Sequence, residues 1–254
     1  MIKAWLIVLV LAFAASGCGG GTTYVAPPSG PPISPGTTWT YKHTVVTASG
    51  VTLVGTLTNV YRGQAAYRGG TYYLAESTDT LQPGYVFRDY LVWTNNIFRE
   101  YAATATDPMN NLLEIIFDKT IALTGVQENL SGTDQIFLNG VSQGSGLWSI
   151  SVSNQGTVTI TVPAGTFSTV KWNGDLVLGS LRQIYSAYTT GLSLVQRNAN
   201  VYAAGTFLDA DTQELTSGPA PTAMSFAAAS TGLGRIGTTL PTLQERLRDL
   251  IPAP

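Results

Sequence analysis

A period of two constrains this chain more than any other feature. Residues 51–61 read VTLVGTLTNVY, which sets Val51, Leu53, Gly55, Leu57 and Asn59 on one face and Thr52, Val54, Thr56, Thr58 and Val60 on the other. A helix would scatter both sets around its axis, whereas a strand keeps them apart. Runs of the same vocabulary recur. They begin at Trp39-Thr40-Tyr41 and continue at 71–77, 85–93, 97–105 and 112–123. A second series covers 147–152, 157–162, 169–177, 183–188, 192–197 and 201–208. Gly69-Gly70 and Asn95-Asn96 fall between runs, where hairpin turns belong. The pattern predicts an all-β, mainly antiparallel body, either a sandwich or a curved half-barrel sheet. One helix is expected, at the C-terminus. In TLQERLRDLI, Thr242 and Glu245 form a capping box, Leu243, Leu247 and Leu250 a stripe, and Pro252 a stop.

The amino terminus follows other rules. Lys3 precedes an apolar run from Ala4 to Ala15, and Ala15-Ser16-Gly17-Cys18 follows. That is the layout of a secretory signal. Its 12 apolar residues fall short of the ~20 that a membrane-crossing helix needs. The last four residues resemble the lipobox of bacterial envelope lipoproteins, with alanine at position 15 where leucine is commoner. The resemblance implies cleavage before Cys18, a diacylglycerol on its thiol and a further acyl chain, such as palmitate, on its new amino group. Two or three acyl chains hold a protein stably to a bilayer. Cys18 is the only cysteine, and such a placement explains why an exported chain keeps an unpaired one. Gly19 stands where an aspartate would favour inner-membrane retention, so the resemblance implies the outer membrane, facing periplasm or cell surface.

Residues 19–36, GGGTTYVAPPSGPPISPG, hold little to bury and read as an extended tether. The expected organisation is thus a signal peptide at 1–17, lipidated Cys18 and tether at 18–36, a β-rich domain at 37–238, and a C-terminal amphipathic helix and tail at 239–254. The segments TVTITVPAGTFSTVKW (157–172), YTTGLSLVQR (188–197) and GTTWTY (36–41) resemble a pattern in an uncharacterised family of envelope lipoproteins. This resemblance implies a β fold and an envelope address, and it carries over no catalytic residue. In physical terms, Pro163 ends a strand and Ala164-Gly165 turns the chain.

Chemistry is sparse. Thirteen basic and 15 acidic side chains leave a net charge of −2 with no basic stripe, which argues against nucleic acid. His43 is the only histidine. It shares a strand face with Tyr41 and Val45 and reads as an exposed or half-buried polar residue. No nucleophile elbow accompanies it, and one histidine with a lipidated cysteine leaves no N/S ligand set for zinc. Glu114 and Asp118 are candidates for paired carboxylates. Asp209, Asp211 and Glu214 lie at loop spacing for calcium, although Asp-rich hairpin turns show the same spacing. No phosphate or dinucleotide fingerprint occurs, so no cofactor and no metal is expected. Tyr72, Tyr73, Tyr85, Phe87, Tyr90, Trp93, Phe98 and Tyr101 crowd one region, as core or as a groove lining. The expected function is a lipid-anchored, non-enzymatic envelope protein that binds a partner protein or an apolar or lipid ligand through its β domain. The alternatives are a tethered hydrolase using paired carboxylates and a structural or assembly lipoprotein.

Overall fold

The computed structural model describes residues 31, 33–95, 97–122, 126–190 and 193–219. Cys18, most of the tether and the expected C-terminal helix at 239–254 lie outside the described residues. The strands are β1 (Thr38–Thr47), β2 (Thr52–Tyr67), β3 (Gly70–Asp79), β4 (Val86–Thr94), β5 (Ile97–Thr106) and β6 (Leu112–Ala122). They continue with β7 (Glu128–Leu138), β8 (Val141–Val162), β9 (Gly165–Leu178), β10 (Leu181–Thr190), β11 (Ser193–Ala203) and β12 (Thr206–Ser217). Each pairs antiparallel with its neighbours in sequence, and β1 pairs with β12, so the sheet closes into a barrel.

The all-β antiparallel expectation holds. The sheet, however, is neither a sandwich nor an open half-barrel, because β12 supplies the partner that β1 would otherwise lack. Val45 faces Asp211 and His43 faces Gln213 across that seam. Closure removes both free edges.

The period of two decides which side chains go inside. Trp39, Tyr41, His43 and Val45 of β1 point inward and are buried, as are Leu57, Asn59 and Tyr61 of β2. Trp148, Ile115, Leu113, Leu91, Ile136 and Leu194 complete a packed interior. The outward faces carry exposed Thr38 and Lys42 and half-buried Thr44 on β1, and exposed Asn129, Ser131, Thr133 and Gln135 on β7. This is the inverse of a transmembrane barrel, which turns its apolar band outward.

The barrel has two unlike ends. At the proximal end β1 begins and β12 finishes. The distal end carries the turns β1–β2, β3–β4, β5–β6, β7–β8, β9–β10 and β11–β12. Two of these use left-handed residue pairs, Asn139-Gly140 (φ 51 and 78) and Ala204-Gly205 (φ 46 and 81), the geometry of tight hairpins.

The β8–β9 hairpin outruns its neighbours. Its register shifts between Asn154 and Thr157, with Gly156 at φ 87. Beyond that bulge the hairpin reaches β12, where Ala164 N donates to Leu215 O at 2.9 Å. Val162 is buried, and Ile160, Phe167 and Val170 pack on the core. The Val-Pro-Ala-Gly-Thr-Phe motif is therefore the tip of a cap on the proximal end.

Candidate functional site

Three places gather polar or aromatic side chains: the barrel interior, the outer wall of β2–β6, and the outer wall of β8–β12.

The interior cluster is built on His43. Its Nδ1 lies 2.5 Å from Asp79 Oδ2, and its Nε2 lies 3.3 Å from Asp211 Oδ2. Asp79 also accepts the Leu81 N–H through Oδ1 at 2.9 Å. Burial alone would lower the imidazole pKa. Hydrogen bonds and charge from Asp211 and Asp79 outweigh that and raise it to about 9, so His43 is a cation at neutral pH. Burial, reinforced by the Asp211 charge, pushes the Asp209 carboxyl up to about 7. Arg197 is wholly enclosed, which lowers its pKa; its Nη2 donates to Gln183 Oε1 at 2.7 Å, and its guanidinium lies 5.1 Å from the Tyr185 ring centroid.

His43 was expected to be exposed or half-buried and without a partner. It is 3% exposed and ion-paired on both ring nitrogens. A group shut in this way reaches no substrate from solvent, and its contacts are those of a buried charge held by opposite charges.

The expected carboxylate sets come apart. Glu114 lies on the outer wall, where Tyr67 Oη donates to Oε1 at 2.8 Å and Arg68 Nη2 to Oε2 at 3.0 Å. Asp118, on the same strand, accepts from Trp148 Nε1 at 3.0 Å. Asp209 and Asp211 are inside the barrel, while Glu214 is outside and meets Lys42 Nζ at 3.4 Å. The run 209–214 is strand, not loop, and alternation sends its acids to opposite faces. Among the described residues no group of three or more His, Cys, Asp or Glu is placed to hold a metal ion.

The aromatic region divides the same way. Phe87 and Phe98 are core, and Tyr73, Tyr85 and Trp93 pack against it. Tyr72, Tyr90 and Tyr101 are outside. There Tyr72 stacks on Tyr101 at 4.6 Å, and Tyr90 stacks on Tyr67 at 3.8 Å. These rings cover one another in pairs.

The third place is a cleft of about 470 Å³ on the outer wall of β8–β12. Sheet register explains its lining. One row runs Ser153, Asn173, Ser186, Asn198, Thr212 across five consecutive strands, each residue directly opposite the next. A parallel row runs Ser151, Asp175, Ile184, Asn200, Ala210. With strands spaced ~4.8 Å apart, each row spans roughly 19 Å. Ser186 Oγ donates to Asn173 Oδ1 at 2.9 Å. Of the two aspartates at the cleft, Asp211 is directed into the barrel toward His43, and Asp175 is neutralised by Arg182, with Nη2 to Oδ2 at 2.6 Å. Gly174 lets the Tyr185 ring fill the space behind this wall, since a Cβ there would fall within the ring. The cleft thus offers neutral hydroxyl and carboxamide groups, each able to donate and accept. Residue-by-residue reading missed it because its members are unremarkable alone and converge only through register.

No protein-family model matches the chain, and no curated protein matches it. Two solved structures are similar. One is a predicted exported protein with a YmcC-like fold from Bacteroides fragilis, 15% identical, covering 73% of this chain and 96% of its own at a TM-score of 0.38. The other is a predicted lipoprotein from Parabacteroides distasonis, 17% identical, covering 74% and 96% at a TM-score of 0.38. Likeness at that level carries no argument about function.

Proposed function

We propose that this chain is an exported, non-enzymatic envelope protein, lipid-anchored through Cys18, whose barrel binds an uncharged, hydroxyl-rich ligand along the β8–β12 cleft. The chemical class that fits is a glycan. The observation that carries the reading is the pair of in-register rows, above all Ser153-Asn173-Ser186-Asn198-Thr212. Hydroxyls and carboxamides repeated over roughly 19 Å suit a ligand that is itself extended and presents donors and acceptors in series. A nucleic acid or an anionic headgroup would require cations, and Arg182 is already committed to Asp175.

Binding is favoured over catalysis because His43, Asp79, Asp209 and Asp211 are enclosed, Glu114 is paired with Arg68, and Asp118 is engaged by Trp148. An apolar carrier is disfavoured because the barrel fills its interior with its own side chains. The anchor and the outer-membrane address rest on the lipobox resemblance and Gly19.

The test is a microarray of bacterial envelope oligosaccharides probed with the full chain, followed by calorimetry on the best binder. Asn173→Ala with Asn198→Ala is expected to weaken binding at least ten-fold. No binder, or a binder indifferent to both substitutions, overturns the reading. The anchor is checked by radiolabelled palmitate, which wild type is expected to incorporate and Cys18→Ala to lose.

A further inference from the structure

The distal end differs from the rest of the surface in two independent ways. The first is charge. In its six turns, residues 47–52, 80–85, 107–111, 139–140, 179–180 and 204–206, the only carboxylate is Asp107, and there is no lysine or arginine. Asp107 is buried and engaged by Met109 N at 2.9 Å, Asn111 N at 2.8 Å and Asn111 Nδ2 at 2.8 Å. Asp79 and Asp209, which flank two of these turns, face the interior. The exposed charge nearest the rim, Arg182 beside the β9–β10 turn, is ion-paired with Asp175 at 2.6 Å, and the others sit on the strand walls, as in the Arg62–Glu76 and Lys42–Glu214 pairs and at Lys119.

The second difference is apolar exposure. Met109 is 72% exposed, Leu147 70%, Val141 63%, Val54 60% and Val51 52%. Met109, Val141 and Val51 lie in or beside distal turns. Val54 stands opposite Thr44, and Leu147 accepts a hydrogen bond from Gly179 N in the β9–β10 turn. Phe207, beside the β11–β12 turn, packs edge-on against Tyr202 at 5.8 Å. The other exposed large apolar side chains among the described residues, Val46 and Ile184, are near the same end.

We propose that the distal rim is a membrane-contact surface, seated in the interfacial layer of a lipid bilayer. Closure of the barrel sets the six turns around one mouth, so the apolar tips form a ring suited to a flat occupant. A ring without free charge enters the headgroup boundary without the desolvation cost that an exposed lysine or aspartate would impose. Val, Leu and Met tips bury themselves there, and Tyr202 and Phe207 supply the amphipathic and aromatic bodies that interfaces favour. A protein partner is commonly oriented by complementary free charge, and this rim offers none beyond the already paired Arg182. The contact is separate from the β8–β12 cleft and from any anchor on Cys18. Ile33 packs on the core and Gly36 N donates to Tyr61 O, which leaves residues 19–32 as the tether; at ~3.1 Å each when extended they reach ~43 Å and exceed the ~33 Å of a ten-residue strand. The rim can therefore turn back to the same bilayer.

The experiment uses the full chain carrying Cys18→Ser, so that no acyl chain takes part. An environment-sensitive fluorophore is attached at Met109→Cys or, as reference, at Asn129→Cys, an exposed position on the β7 wall. Phosphatidylcholine vesicles are expected to shift the emission at 109 to the blue and shield it from iodide at least three-fold, with no change at 129. Val51→Asp with Val141→Asp, both at exposed tips, should raise the lipid concentration for half-binding ten-fold or more. No vesicle-dependent change at 109, or equal changes at both positions, overturns the proposal. So does a change at 109 that grows with protein concentration in the absence of lipid, which would make a second copy of the chain the occupant.

Discussion

His43 and Asp79, 36 residues apart in the chain, meet inside the barrel with Nδ1 and Oδ2 at 2.5 Å and both side chains almost fully enclosed. Asp211 closes on the other ring nitrogen from β12. The imidazolium is thus held by carboxylates from strands on both sides of β1, and the charge state of one residue bears on closure of the whole sheet.

Stability is therefore expected to fall with alkali. The folded His43 has a pKa of about 9 against 6.5 for the free group. Its contribution, roughly 3 kcal/mol by linkage, is complete below pH 6.5 and lost as pH rises through 9. Asp209 acts in the same direction, since its folded value is raised from 3.8 to about 7. Its share is complete below pH 3.8 and lost through pH 7. Thermal melting between pH 5 and 10 should show Tm declining across the range. His43→Gln should abolish the alkaline part of the decline and lower Tm at pH 6, and a Tm that rises toward pH 9 would contradict the arrangement.

Gly174→Ala tests the wall behind the cleft. The added Cβ would fall within the Tyr185 ring, and that ring has little room to move beside Arg197. A loss of about 1–3 kcal/mol is expected in urea denaturation. An unchanged midpoint would show that Tyr185 does not occupy this space.

Glu114→Gln removes a buried charge that serves Tyr67 and Arg68 together. Arg68 keeps its place over the Phe137 ring, 4.0 Å from the centroid, but loses its counter-ion. About 1.5–3 kcal/mol of stability should go with it. Because Tyr67 stacks on Tyr90, the near-ultraviolet circular dichroism of the tyrosines should weaken as well.

Ala164→Pro removes the N–H that ties the cap to Leu215. Faster amide exchange is expected over residues 157–170, with the barrel strands little affected. Uniform acceleration across all strands would mean that the cap holds the barrel together, not merely its mouth.

The sequence predicts strands well wherever inward positions are largely apolar, as in β2, where Leu57 and Tyr61 face inward as alternation requires. It fails where they are polar. The inward residues of β12 are Asp209, Asp211, Gln213 and Leu215, so the strand looks like a turn with acids. β7 went unread for a similar reason, with Asp134 among its inward residues. Asn139-Gly140 is the turn signal that would have exposed it. The run 201–208 instead crosses a true turn at Ala204-Gly205, and the runs 147–152 and 157–162 are parts of the single strand β8. His43 could not be judged from its neighbours in sequence, because the groups that charge it arrive from β3 and β12.

The seam between β1 and β12 also orders events in time. Tyr41 cannot find Leu215, nor His43 Asp211, until the last strand has emerged. All twelve strands can zip together hairpin by hairpin, yet the β1–β12 contacts, so distant in sequence, come late and at a high loop-closure cost. Until then the growing sheet has two raw edges, which invite pairing with other chains. The closed barrel therefore cannot exist before residues 206–217 are free to pair with β1.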